Sequence, residues 1–206
     1  MRLLLFMFAL LTLNGYAAFA QAQNYHSWVS AQGNDGSPCT DTAPCASFVV
    51  AVSKTNAGGE VSCLTSGLCG GVTINKSITI DCKGVHAQVT AGPGFPGINI
   101  ETNQTDTVVL RGLDIDMTPT TNGAYQGIYV ESPCTLILDD VKVGHARVSS
   151  GALSGLEVVT SSGIARVVIS NSLFVNNGGP SGGAGIRIAP RSSGGVGERN
   201  FHTHDA

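Results

Sequence analysis

Two glutamates, Glu101 and Glu131, each follow directly on a repeated tetrapeptide, Gly97-Ile98-Asn99-Ile100 before the first and Gly127-Ile128-Tyr129-Val130 before the second. If these tetrapeptides stack as neighbouring strands, the two carboxylates face each other at strand spacing. That arrangement repels unless the side chains splay apart in solvent or a cation sits between them. Oxygen ligands of this kind suit Ca2+, with Asp114 or Asp116 as additional ligands, or the hydroxyls of a sugar. Tyr129 is predicted to point outward on its strand and Tyr125 lies in the loop before it, so an aromatic face for a sugar ring is available there. Apart from Ca2+, no cofactor is expected.

The six cysteines, Cys39, Cys45, Cys63, Cys69, Cys82 and Cys134, are the other residues with evident chemistry. Their spacings do not resemble the tight Cys-x2-Cys pairs of zinc sites. Their setting favours disulfides. Arg2 precedes an apolar run from Leu3 to Leu13, and Ala18-Phe19-Ala20 offers a small-x-small cleavage pattern, so residues 1–20 read as a secretory leader. Export permits disulfides. The short loop from Cys39 to Cys45 is the best single pairing, whereas the other four cysteines can be connected in more than one way. The apolar run is too short to span a bilayer, and nothing downstream supplies about 18 consecutive apolar residues, so no integral membrane segment is expected after cleavage. The protein is therefore expected to be secreted or periplasmic.

The elements that would position these residues follow from a repeat. The 206 residues include 27 glycines, 42% are hydrophobic and only 12% are charged, with a formal net charge of -3. This composition excludes collagen, disorder and the broad basic surface that nucleic-acid binding requires. Gly97, Gly127, Gly155 and Gly185 open four related tetrapeptides at spacings of 30, 28 and 30. A second column runs through Ile78-Thr79-Ile80, Val108-Val109-Leu110, Leu136-Ile137-Leu138 and Val167-Val168-Ile169. A third short strand follows each member from Leu113 onward. Three short strands per repeat cannot bury their apolar faces alone and must stack on their neighbours. The fold predicted is all-β, a right-handed parallel β-helix of four to five coils with a helical cap. Residues 21–58 form the N-terminal cap segment, 59–190 the solenoid and 191–206 a polar tail, disordered or truncated.

With Trp28-Val29-Ser30-Ala31-Gln32-Gly33-Asn34-Asp35, the Ser37-Pro38-Cys39 to Ala43-Pro44-Cys45 segment, the amphipathic stretch Ala46 to Lys54 and Ala57-Gly58-Gly59-Glu60-Val61, the chain resembles the secreted right-handed parallel β-helix proteins with a pectin-lyase-like fold. The resemblance covers nearly the whole mature chain. It implies that the opening segment is a cap, with Phe48, Val49 and Val52 as the face that covers the first coil. It also implies that enzymes sharing the fold would be polysaccharide lyases or glycoside hydrolases.

Residues decide between an enzyme and a binding protein. The hydrolases of this fold carry Asn-Thr-Asp, Asp-Asp, Gly-His-Gly and Arg-Ile-Lys on successive coils. Here Asp139-Asp140, Gly144-His145-Ala146 and Arg187-Ile188-Ala189 stand in partial likeness, Asn-Thr-Asp is missing, and Asp140 and His145 fall on one coil. Stacking the repeats places Asp81, Arg111, Asp139 and Ser170 in one outward column and Asp114 over Lys142 in another, so ion-pair ladders account for these charges. His26, His86 and His145 have no partner at a fixed spacing, and Trp28 is assigned to the cap. No catalytic residue is assigned. The expected function is a non-catalytic surface or binding protein for extracellular polysaccharide, the alternative being a lyase or glycosidase or a degenerate relative. The coil containing Ile186 and Ile188 is expected to be an exposed edge prone to self-association.

Overall fold

The computed structural model describes residues 24–90, 94–118, 126–146, 153–160, 163–179 and 182–189. The leader assigned to residues 1–20, the tail at 191–206 and Tyr125 lie outside these residues.

The chain forms a parallel β-helix of about five turns with three sheets. The first sheet has six strands in the order β1 (Asn24–Val29), β2 (Thr55–Cys63), β5 (Ile78–Asp81), β8 (Thr107–Arg111), β11 (Thr135–Asp139) and β14 (Arg166–Ser170). The second stacks β4 (Val72–Ile74), β7 (Ile98–Ile100), β10 (Ile128–Val130), β13 (Leu153–Val158) and β16 (Gly183–Ile188). The third stacks β3 (Gly67–Leu68), β6 (Ala87–Val89), β9 (Leu113–Asp116), β12 (Lys142–Gly144) and β15 (Leu173–Val175). Every pairing between these strands is parallel, as the repeat demands.

Alternation within the strands builds the core. Inward columns such as Ile78, Val108 and Leu136, and Ile98, Ile128 and Leu156, run along the axis and are essentially inaccessible to solvent. Each such side chain, once buried, contributes on the order of 1.5–3 kcal/mol.

The glycine that opens each second-sheet strand answers to a different constraint from the turn geometry its periodicity suggests. Gly97, Gly127, Gly155 and Gly185 all lack a positive φ. A Cβ on Gly97 would stand 2.7 Å from the carbonyl oxygen of Gly127, and one on Gly127 would meet Val143 Cγ1 at 2.3 Å and the Gly155 carbonyl at 2.8 Å. Backbone packs on backbone there, and the column begins one turn earlier, with Gly71. The left-handed turn lies elsewhere, after the first-sheet strands, where Gly112, Asp140 and Asn171 have φ of 61°, 58° and 49°.

At the N-terminus, α1 (Phe48–Lys54) covers the first turn. The residues it buries are Phe48, Ala51 and Val52, while Val49, expected on the covering face, is 56% exposed. The helical period explains the correction, since positions i, i+3 and i+4 share a face and i+1 does not. Asp35 accepts hydrogen bonds from the Ala46 and Ser47 backbone N–H groups and the Ser47 hydroxyl, each at 2.9 Å, and the Ser47 side chain in turn caps Val50. Lys54 donates to the Asp35 and Ser37 carbonyls, tying the helix to the loop before it.

Two disulfides are present. Cys39–Cys45 closes the loop expected for it, and Cys63–Cys82 joins neighbouring turns at the ends of β2 and β5, both with Cα–Cα distances of 4.7 Å. Cys69 and Cys134 are buried free thiols, and burial pushes the Cys69 thiol up to about 11 and raises that of Cys134. No helix among the described residues is long and apolar enough to cross a membrane.

Candidate functional site

The outer face of the second sheet carries the column Thr73, Asn99, Tyr129, Glu157 and Arg187, in register from β4 to β16. Each step is about 4.8 Å, the strand spacing. Glu101 and Glu131 stand at the ends of β7 and β10, the Glu101 N–H bonded to the Ile74 carbonyl at 2.8 Å and that of Glu131 to the Ile100 carbonyl at 3.1 Å. They therefore stack on adjacent turns, and both are exposed. Asn99 Nδ2 donates to Glu101 Oε1 at 2.5 Å, which holds that carboxylate against the sheet, and Asn99 Oδ1 is buried without a partner. Tyr129 lies half-buried between Asn99 and Glu157.

Glu157 had no assigned role in the sequence, yet it is the most enclosed charge of this face, only 4% exposed. Gln126 Nε2 donates to it at 2.8 Å and the Arg187 guanidinium pairs with it from the next turn. A buried carboxylate needs such partners to offset its lost hydration. The spacing from Glu157 to Arg187 equals one repeat, and that signal could have found the pair.

Asp114 and Asp116 fall on the third sheet, away from Glu101 and Glu131. Lys142 Nζ holds Asp114 at 3.2 Å, as the stacked repeats predicted. His145 Nδ1 contacts Asp116 Oδ1 at 2.9 Å, and Thr118 bonds to the same oxygen and to the imidazole at 3.1 Å. Burial opposes ionisation of Asp116, but the bonds from Thr118 and His145 outweigh it and hold its carboxyl below the ordinary range. Among the described residues, no three His, Cys, Asp or Glu side chains gather as a metal-binding group.

The histidines are partnered after all. His145 faces Asp116, His86 Nε2 lies 3.8 Å from Asp140, and His26 stacks on Trp28 with centroids 3.8 Å apart while reaching Ser62 Oγ at 2.8 Å and Glu60 at 3.4 Å. Apart from Trp28, which shares β1 with His26, these partners come from other turns. Asp140 and His145, five residues apart on one coil, are committed to different partners.

The first-sheet column has the expected register of Asp81, Arg111, Asp139 and Ser170. Arg111 pairs with Asp81 at 3.4 Å, but Asp139 is taken by Lys83, two turns back, at 2.5 Å. A Cβ on Gly112, in the turn between them, would collide with the backbone of Cys82 and Lys83. With Lys83, Asn171 and Ser170 all bonded to it, the Asp139 carboxyl is held down at about 2. No family model, curated protein or solved structure matches this chain.

Proposed function

We propose that the protein works outside the cytoplasm as a non-catalytic binding protein that holds extracellular polysaccharide on the outer face of its second sheet. The observation that carries this reading is the combination on one face of an amide, an aromatic ring and stacked carboxylates at Asn99, Tyr129, Glu101 and Glu131. Sugars offer alternating apolar ring faces and hydroxyl donors, and this ladder repeats complementary groups along the axis. Ca2+ between Glu101 and Glu131 would neutralise their repulsion and add a ligand for sugar hydroxyls. Two cysteine pairs and the apolar leader in the sequence support export, and the parallel β-helix supports the resemblance to the pectin-lyase-like proteins. Among the described residues the ion pairs elsewhere all join different turns, which favours binding over catalysis.

A panel of uronic-acid and neutral glycans, assayed for both retention and new unsaturated or reducing ends, tests the proposal. Retention without new ends is expected, and Tyr129→Ala or the double change Glu101→Gln with Glu131→Gln should reduce it at least about tenfold. Cleavage of any glycan, or retention indifferent to these changes, overturns it. Calorimetric titration with Ca2+ tests the metal separately: no heat and no rise in Tm at millimolar Ca2+ removes it.

A further inference from the structure

Two triplets of the chain, Asn75-Lys76-Ser77 and Asn103-Gln104-Thr105, have the Asn-x-Ser/Thr form that accepts an N-linked oligosaccharide. They lie at the same corner of the solenoid on consecutive turns, the first between β4 and β5 and the second between β7 and β8. The sequence treats them alike. A transferase must reach both the asparagine amide and the hydroxyl two residues on, so the surroundings of that hydroxyl separate the two.

In the first triplet the hydroxyl is already committed. Ser77 Oγ donates to Asp106 Oδ1 at 2.6 Å and accepts the Thr107 N–H at 3.1 Å, the Ser77 N–H donates to the same carboxylate oxygen at 3.2 Å, and β5 begins at the next residue. Lys76 is fastened too, its ammonium on the Thr55 carbonyl at 2.5 Å. Of these three residues only Asn75 is exposed.

The second triplet is an exposed turn. Asn103, Gln104 and Thr105 all face solvent, and no hydrogen bond among the described residues engages the Thr105 hydroxyl. The turn is held at its ends, where Asp106 Oδ2 accepts the Asn103 backbone N–H at 2.8 Å and Asn103 Nδ2 at 3.3 Å, and the Asp106 N–H donates to the Asn103 carbonyl at 3.0 Å. The side-chain amide has two N–H bonds, so substitution at Nδ2 leaves one for Asp106. Asn103 also has an acidic residue, Glu101, two positions before it where Asn75 has Thr73, and so meets the longer acceptor pattern that some transferases demand.

We propose that Asn103 is an N-glycosylation site of the folded protein and that Asn75 is not. The co-substrate is an oligosaccharide carried on a lipid diphosphate. Asn103 Nδ2 forms a bond to the anomeric carbon of the first sugar, the bond from that carbon to the diphosphate oxygen breaks, the lipid diphosphate leaves with the electron pair, and one amide proton passes to solvent. The product adds a bulky, solubilising group at this corner.

The test incubates the folded full chain, its disulfides intact, with an oligosaccharyltransferase that needs only the triplet and with the lipid-linked donor, and reads intact mass and peptide maps. One glycan, on Asn103, is expected. Asn103→Gln or Thr105→Ala should abolish it, and Asn75→Gln should leave it unchanged. After reduction and unfolding both asparagines should be modified, because the Ser77 hydroxyl is then released. A transferase that demands the acidic residue as well should modify Asn103 and should fail on Glu101→Gln. No transfer to the folded chain, equal transfer to Asn75 and Asn103 before unfolding, or an Asn75 still refused in the unfolded chain overturns the proposal.

Discussion

The two ends of the solenoid carry the same kind of apolar strand and resolve it in opposite ways. At the N-terminal end Phe48, Ala51 and Val52 close the core, and Val61 beneath them is inaccessible. At the C-terminal end Ile169 and Phe174, in the same type of inward position, remain only partly buried. An inward-pointing residue is therefore not buried by its own strand. Burial in a repeat structure is supplied by the neighbour, and a terminal turn has one neighbour fewer.

Removing the cap should give the largest effect. Phe48→Ala should cost about 3–5 kcal/mol, read as a shift in the denaturant midpoint, because it leaves a void over the first turn. Next, Leu138→Ala in the middle should cost about 2–5 kcal/mol, whereas Ile169→Ala one turn later should cost less than half as much. Equal losses at Leu138 and Ile169 would mean that the last turn is covered. Asp35→Ala removes three hydrogen bonds at the start of α1 and should cost about 1–2 kcal/mol, again at the closed end. Smaller still is the pH effect at Asp139. Its folded carboxyl titrates at about 2, below the ordinary carboxylate value, so its stabilisation is present above that ordinary value and is lost as pH falls towards 2. The stability difference between the protein and Asp139→Asn should accordingly vanish across that acid window. Asp114→Asn, at an exposed pair with Lys142, should change stability by less than about 1 kcal/mol.

The fold was legible because its signal is redundant. Four glycine-led tetrapeptides and four Ile/Val/Leu strands recur at nearly one spacing, and the observed registers pair them as the repeat implies. Gly71 does not stand out in the repeat, because it lies 26 residues before Gly97, shorter than the later spacings. The periodic glycines suggest a turn because sequence reports where a side chain is missing and not what would collide with it. Ion pairs between successive strands, Asp114 with Lys142 and Asp81 with Arg111, could be read from stacking. The reach of Lys83 over two turns could not, since stacking the repeats aligns neighbouring turns and not alternate ones. Candidate site residues were half legible for the same reason. Glu101, Glu131 and Tyr129 share a sheet because they share a repeat position, whereas Asp114 and Asp116 follow a different strand and go to another face. The pairing of Cys63 with Cys82 needed the third dimension, because nothing in a spacing of 19 distinguishes it from its alternatives.

Registers separated by about one turn also bear on how the chain is made. Each strand's partner is roughly 30 residues away, for example Thr107 with Thr135 and Leu156 with Ile186. A nascent chain can therefore complete a turn soon after the residues emerge, using the turn already formed as its template. The closed end is synthesised first and the Cys63–Cys82 bond can lock the earliest pair of turns, so growth has a fixed origin and a single direction. Among the described residues, the strands of the last turn are then the latest to be templated in this way.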